Sequence, residues 1–257
     1  MERLLVQLFK GNHILMGVAG TIFTGFATGL GALPVLFTTH VSERILDALL
    51  GFAAGVMLAA TAFSLIVPAI QLGGIWPAAF GILLGGIFLA VLDHAVPHMH
   101  RIAGPEGPSS TLRRVWLLII AITLHNFPEG LAVGVSFGSG RLGEATALMI
   151  AIGLQNMPEG LAVALPLVRE KWPRGKALLY AFGSGLAEPI AGLLGVVAVT
   201  FMKPLLPWGL AFAAGAMLYV VSDEIIPETH RRGYELEGTW GLMIGFIVMM
   251  FLDNVFG

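Results

Sequence analysis

The chain has no cysteine in its 257 residues, three tyrosines and only 12% charged residues. Without cysteine there is neither a disulfide framework nor a thiolate metal site. Any transition-metal chemistry therefore falls to His, carboxylate, amide or Met ligands. Soluble domains carry about 25% charged residues, so so few charges argue against a soluble globular chain. The net charge of −2 offers no basic surface for nucleic acid. There is no His-Glu dipeptide, and an intramembrane protease of the His-Glu-x-x-His kind would need one. Met1 to Asn12 lacks the basic start, short apolar stretch and cleavage site of a removed signal peptide, and reads as a preamble to the first span.

What is present is apolar sequence, 56% of the chain, with a mean hydropathy of +0.86. A membrane span needs roughly 20 mostly apolar residues. Eight segments qualify, at 13–38, 46–71, 75–97, 114–137, 142–168, 175–202, 205–229 and 236–256. The expected fold is an all-α integral membrane protein, one polytopic domain over residues 1–257 in contact with lipid. An even number of spans puts both termini on one side. Ten of the Lys and Arg residues fall in the connections after spans one, three, five and seven, and four on the other side. The positive-inside rule then places both termini outside the cytoplasm. The longest connection, around 98–113, is rich in Gly, Pro and Ser and is expected to be a mobile cytoplasmic segment. Gly25/Gly29 and Gly81/Gly85 each have the four-residue spacing that lets helices approach closely.

Within spans four and five one phrase occurs twice. Leu124 to Gly130 reads Leu-His-Asn-Phe-Pro-Glu-Gly, and Leu154 to Gly160 reads Leu-Gln-Asn-Met-Pro-Glu-Gly. Residues four apart share a helix face, so His125 pairs with Glu129 and Gln155 with Glu159. Pro128 and Pro158 cannot donate a backbone hydrogen bond, and each crowds the carbonyl four residues earlier. Each helix is expected to kink there, freeing the carbonyls of Leu124 and Leu154 beside the polar side chains. An acid at membrane depth is costly and marks a functional site. Imidazole and carboxylate together suit zinc and its neighbours in the first transition series. Asn126 and Asn156, one step round, could serve a second adjacent ion bridged by the two glutamates. The bland alternative is two kinked helices whose polar groups bond only to each other. A third acid, Glu188, sits before Pro189 in span six, in Gly-Ser-Gly-Leu-Ala-Glu-Pro. Three carboxylates could balance most of the charge of two divalent cations.

Other polar residues are open to two readings each. Met57 in span two reads as core packing. Thr61 and Ser64 read as bonding to the preceding turn's carbonyls. Asp93, His98 and His100 at the end of span three fit either a metal-capturing cluster or a solvated helix end. Asp223, Glu224, Glu228 and His230 at the end of span seven fit either a release route or a charged terminus. Asp47 and Asp253 could line the inner and outer approaches, or act as caps or ion-pair partners.

With the paired Asn-x-Pro-Glu-Gly motif on spans four and five, the chain resembles the ZIP (Zrt/Irt-like) family of divalent-metal transporters, its GufA-like bacterial branch in particular. Gly51–Pro68, Asp93–His100, Gly183–Pro189 and Ser222–His230 extend the resemblance over nearly the whole chain. It implies a bacterial inner-membrane carrier with extracytoplasmic termini and a two-metal site between Pro-kinked spans four, five and six. It also implies import of Zn²⁺, or of Cd²⁺, Fe²⁺ or Mn²⁺, into the cytoplasm, elevator-type movement of one helix bundle past another, and a homodimer. By position, His125, Glu129, Gln155, Glu159 and Met57 match one metal subsite. Asn126, Glu129, Asn156, Glu159 and Glu188 match the second. Asp93, His98, His100, Glu224 and His230 match inner-side metal contacts. No prosthetic group is implied. Many relatives carry His at the place of Gln155 and some carry Asp at the place of Asn156. A metal-selective channel on the same site is the alternative to a carrier, and an intramembrane metalloenzyme is a remoter one.

Overall fold

The computed structural model describes residues 2–100, 104–106, 114–230 and 233–256. Among the described residues, eight helices are long and apolar enough to cross a membrane: His13–Leu36, Glu43–Gly73, Ile75–Ala95, Ile119–Gly138, Leu142–Arg169, Arg174–Phe201, Lys203–Thr229 and Glu235–Phe256. They coincide with the eight segments expected from composition, and the protein is an all-α multi-pass membrane protein. Local chemistry sets several of the ends. Asn12 caps span one by accepting from the Leu15 N–H, and Ser42 caps span two by accepting from the Ile45 N–H. Before span one, Glu2–Phe9 forms a short helix that turns at Lys10 and Gly11, both with positive φ.

Four spans are not plain α-helix throughout, and span one ends in a 3-10 turn at Leu33–Leu36. Span two widens into a π-turn at Ala60–Ile66, and span seven does so at Val221–Ile225. Each π-turn ends two residues before a proline, Pro68 or Pro227. Proline has no N–H and crowds the carbonyl four residues back, and a locally wider turn relieves that crowding. Span six divides at Leu186 into Arg174–Gly185 and Ala187–Phe201. Spans four and five run on as helix past Pro128 and Pro158. The connection after span three, expected to be irregular, contains a short antiparallel pairing of His98–His100 with Gly104–Glu106. Residues 101–103 and 107–113 of that connection lie outside the described residues.

The helices form two packed sets. Spans one, four, five and six lie mainly against one another, as do spans two, three, seven and eight. The sets meet where span five touches spans two and eight and where span four touches span seven. Span five is the most enclosed, with 72% of its apolar window buried, against 22% for span three and 17% for span eight. That difference puts span five at the centre and spans three and eight towards lipid. In lipid there is little hydrophobic drive for helices to associate, so close approach between small residues matters more. The predicted glycine faces are used this way: a Cβ on Gly25 or Gly85 would strike the backbone oxygen of Gly185 or Phe212. Arginines tie the two sets at opposite ends. Arg169 binds the Glu43 carboxylate at 2.6 Å and the Val41 carbonyl at 2.8 Å, and Arg141 donates to Gln71 at 3.1 Å. Exposed contacts of this kind are worth at most about 1 kcal/mol each.

Candidate metal centre

The repeated motif places its polar residues in the interior of the first set. His125 and Glu129 project from span four, Gln155 and Glu159 from span five, one turn apart in each case. One donor atom each from His125, Glu129 and Glu159 lie within 4.8 Å of one another. The glycine after each glutamate brings a third helix close. A Cβ on Gly130 would lie 2.3 Å from the Glu188 carbonyl oxygen, and one on Gly160 would lie 1.7 Å from that of Thr28. Gly130 therefore seats span four against span six at Glu188, and Gly160 seats span five against span one.

Glu188 lies in the first turn of the half-helix that starts at Ala187. Unpaired N–H groups there favour a negative charge. Its Oε1 accepts from Asn156 Nδ2 at 2.7 Å and from Thr28 Oγ1 at 3.5 Å. Asn156 Nδ2 also donates to the Thr24 carbonyl at 3.0 Å. Gln155 Nε2 donates to Glu129 Oε1 at 2.6 Å and to Asn156 Oδ1. The two amides thus link two of the three acids, Glu129 and Glu188, and leave Glu159 unbonded.

A set of acceptors is left over. His125 Nε2, Glu129 Oε2, Gln155 Oε1, both Glu159 oxygens, Glu188 Oε2 and both amide atoms of Asn126 are buried with no hydrogen-bond partner. A buried polar atom in that condition costs about 1–3 kcal/mol, more if charged. So many together, nearly all acceptors, describe a site for a cation. His125 Nε2 and Glu159 Oε1 stand 3.6 Å apart. Two ligands each about 2.1 Å from a tetrahedral zinc lie about 3.4 Å apart, so the pair fits one ion. On the far side of the ring, His125 Nδ1 lies 3.2 Å from Glu224 Oε2. A carboxylate holding Nδ1–H fixes the imidazole orientation and leaves Nε2 free to ligate.

Of the residues singled out by sequence, the structure brings His125, Glu129, Gln155, Asn156, Glu159 and Glu188 together. Asn126 is fully buried beside His125 in span four, and Met57 is fully buried in span two. Glu224 reaches His125 across the boundary between the two helix sets. Asp93 and His98 pair with each other at 2.9 Å, and Tyr219 donates to Asp93 at 3.3 Å. Both ring nitrogens of His98 are engaged, Nδ1 with the Val96 carbonyl at 2.8 Å. Burial disfavours its charged form, but the Asp93 hydrogen bond, the Val96 carbonyl and the charges of Asp93 and Glu224 outweigh it and raise its pKa to about 9. His230 also uses both nitrogens, on Ile226, Thr229 and Thr239. The His100 side chain lies outside the described residues. Ser64 departs from expectation: from within the π-turn it donates to Asp253 at 2.8 Å and not to a preceding carbonyl of its own helix. Asp253 is thereby a hydrogen-bond partner between spans two and eight. Thr24 and Thr28 of span one escaped the sequence reading. With Thr21 they form a polar stripe at helical spacing, the signal that could have found them.

The comparisons agree with this geometry. The family described as "ZIP Zinc transporter" matches residues 98–253. The chain is 45% identical to "Zinc transporter GufA" of Myxococcus xanthus, over 94% of this chain and 99% of that protein. It is 47% identical to "Zinc transporter ZIPB" of Bordetella bronchiseptica, over 98% of this chain and 83% of that one. To "Zinc transporter ZIP11" of Homo sapiens it is 36% identical, over 94% and 97% of the two. Neither the site nor these relatives point to an enzyme. A match over more than half the chain, with relatives this similar along nearly their full length, places the chain in the ZIP transporter family.

Proposed function

We propose that the protein carries divalent transition-metal cations, zinc foremost, across the bacterial inner membrane into the cytoplasm. The observation that carries this reading is the buried group of partnerless acceptors on spans four, five and six, deep in an apolar helix assembly. Charge buried at that depth is tolerated when a counter-charge arrives with the transported ion. The relatives named as zinc transporters supply the choice of metal; cadmium, iron and manganese suit the same mixed donors. The first cation position uses His125, Glu129, Gln155 and Glu159, with Met57 from span two. A second, weaker position draws on Asn126, Glu129, Asn156, Glu159 and Glu188, which makes the site binuclear in outline.

The division of the helices into two packed sets, with the donors concentrated on one, supports an elevator movement of that set along the other. Asp93, His98, His100, Glu224 and His230 mark the inner route, and the Lys and Arg distribution supports extracytoplasmic termini. The whole chain acts as one polytopic domain and assembles as a homodimer. Reconstituted vesicles loaded with a fluorescent chelator test the reading. Wild type gives saturable, zinc-dependent fluorescence on the order of ions per second, and Glu129→Ala with Glu159→Ala abolishes it. No wild-type signal, or an unaltered one in the double variant, would overturn the proposal. Flux that does not saturate would replace the carrier with a channel.

A further inference from the structure

We infer that a groove between spans one and six binds one anionic phospholipid, which lays an acyl chain against the break in span six and sets its phosphate among the basic residues at the start of that span. The inference goes beyond the transport reading and takes from it only which end of span six faces the cytoplasm.

The groove lies over a close helix contact. A Cβ on Gly25 would lie 2.3 Å from the Gly185 carbonyl oxygen, and one on Gly185 would lie 2.2 Å from that of Gly25. The two backbones touch there, and the larger side chains to either side stand up as walls. Ile22 and Phe26 of span one face Leu179, Phe182 and Leu186 of span six around an almost wholly apolar hollow of about 460 Å³. Ile22, Phe26, Leu179 and Leu186 are exposed, so the hollow opens on the outer surface of the bundle.

Gly183 deepens this hollow. It sits within the helix Arg174–Gly185 without a positive φ, and a Cβ there would meet nothing within 4 Å. Glycine within a helix is less stable than alanine, and here neither the backbone conformation nor a neighbouring helix asks for one. What the missing side chain leaves is room for a molecule from outside the chain.

The cytoplasmic end of the groove supplies charge. Lys176, Leu179 and Gly183 stand three and four residues apart and share one face of their helix. Lys176 is about 10 Å along the axis from Gly183, at about 1.5 Å per residue. Lys171 and Arg174 lie just before it, all three are exposed, and Glu170 is the one acid in residues 170–176. Lys171 and Lys176 have no ion pair among the described residues, whereas Arg169 is taken up by Glu43. Tyr180 packs edge to face with Trp116 at 5.2 Å and with Trp172 at 5.5 Å between ring centroids. Such rings gather at head-group level, and the hollow runs on from there into acyl-chain depth. Basic residues near the surface attract anionic head groups. A phosphate at Lys176 with a chain running towards Leu186 therefore fits one lipid. That chain presses on the break two residues before Glu188 and braces the turn that presents this acid.

The test is native mass spectrometry of the full-length protein in mild detergent, titrated with phosphatidylglycerol or with phosphatidylcholine of the same chain length. Wild type is expected to hold one phosphatidylglycerol about tenfold more tightly than phosphatidylcholine, the preference that one or two basic residues supply. Gly183→Leu fills the hollow and should lose the retained lipid. Lys171→Gln with Lys176→Gln should bring the two lipids level. Gly183→Ala adds one methyl group and removes the backbone freedom of glycine, so it should keep the lipid. Equal binding of the two lipids by wild type, or phosphatidylglycerol binding unchanged in Gly183→Leu, would overturn the inference and leave only ordinary contact with bulk lipid. A loss in Gly183→Ala as large as in Gly183→Leu would overturn it too, because the glycine would then serve the backbone. If Gly183→Leu is not recovered folded, Leu179→Trp fills the groove from its exposed wall and is judged by the same outcomes. Zinc uptake in vesicles is measured separately, so failure here leaves the transport reading standing.

Discussion

The two copies of the motif are nearly the same string of residues on two adjacent helices, yet they do different work. On span four, His125 keeps Nε2 open and Asn126 keeps its whole amide open. On span five, Gln155 and Asn156 spend their N–H groups on Glu129, Glu188 and Thr24. Both copies present donors to an ion, Glu159 and Gln155 Oε1 among them on span five, but only the span-five copy spends its amide N–H groups on holding the acids in place. The difference comes from neighbours. Gly130 sets span four against span six, and the span-four imidazole also meets Glu224 of span seven. Gly160 sets span five against the threonine stripe of span one, which supplies a carbonyl for an amide to grip. Repetition in sequence thus supplies two similar sets of groups, and packing assigns their roles.

The comparison can be broken most severely at the glycines. Gly160→Val is expected to yield no folded protein, because its Cβ would sit 1.7 Å from the Thr28 oxygen. Gly130→Ala, at 2.3 Å, should fold with a loss of about 1–3 kcal/mol, the usual range for overpacking. Yield and thermal melting in detergent read both, and equal behaviour would remove the argument from close approach. Next comes the orienting carboxylate. Glu224→Ala should weaken zinc binding about 10- to 100-fold, the range for losing a group that holds a metal-binding histidine. Competition against a fluorescent chelator measures it, and an unchanged affinity would mean that His125 is aligned without Glu224.

The two asparagines give a finer contrast. Asn156→Ala leaves Glu188 Oε1 and the Thr24 carbonyl without their amide donor and should cost the metal-free protein about 1–3 kcal/mol. Asn126→Ala removes an amide that has no partner and should leave the metal-free melting temperature unchanged or slightly higher. The reverse ranking would contradict the division of roles. A further contrast is at His98, whose two engaged nitrogens differ from the open one of His125. Its pKa in the folded protein is raised from 6.5 to about 9. The stability it contributes is fully present below pH 6.5 and is lost as pH rises through about 9. Melting curves between pH 6 and 10 should show this slope in wild type and lose it in His98→Gln. Identical slopes would place the proton elsewhere.

Much of this was legible in the chain. The eight spans follow from runs of apolar residues, which are a local property. The acids were found because a carboxylate in such a run is costly and rare, and the motif's spacing put His125 with Glu129 and Gln155 with Glu159. The division of span six was not read from the sequence, which gave it as one segment, although Gly183, Gly185 and Pro189 flank the break at Leu186. Less could be read from Pro68 and Pro227. They lie near the ends of two spans, and the π-turns before them change which residues share a face. Glu224 is in one of those turns, so its approach to His125 does not follow from α-helical periodicity. Ser64 is in the other and finds Asp253.

By itself the sequence determined that the protein would be eight membrane-crossing helices with acids, an imidazole and amides at membrane depth, because hydrophobicity and helical spacing act over a few residues at a time. Only the tertiary structure decided which of those polar atoms are spoken for. Asn156 meets Thr24 across 132 positions, and His125 meets Glu224 across 99. A buried hydrogen-bonding group takes whichever partner packing brings within about 3 Å, and that choice is made between helices, not along one.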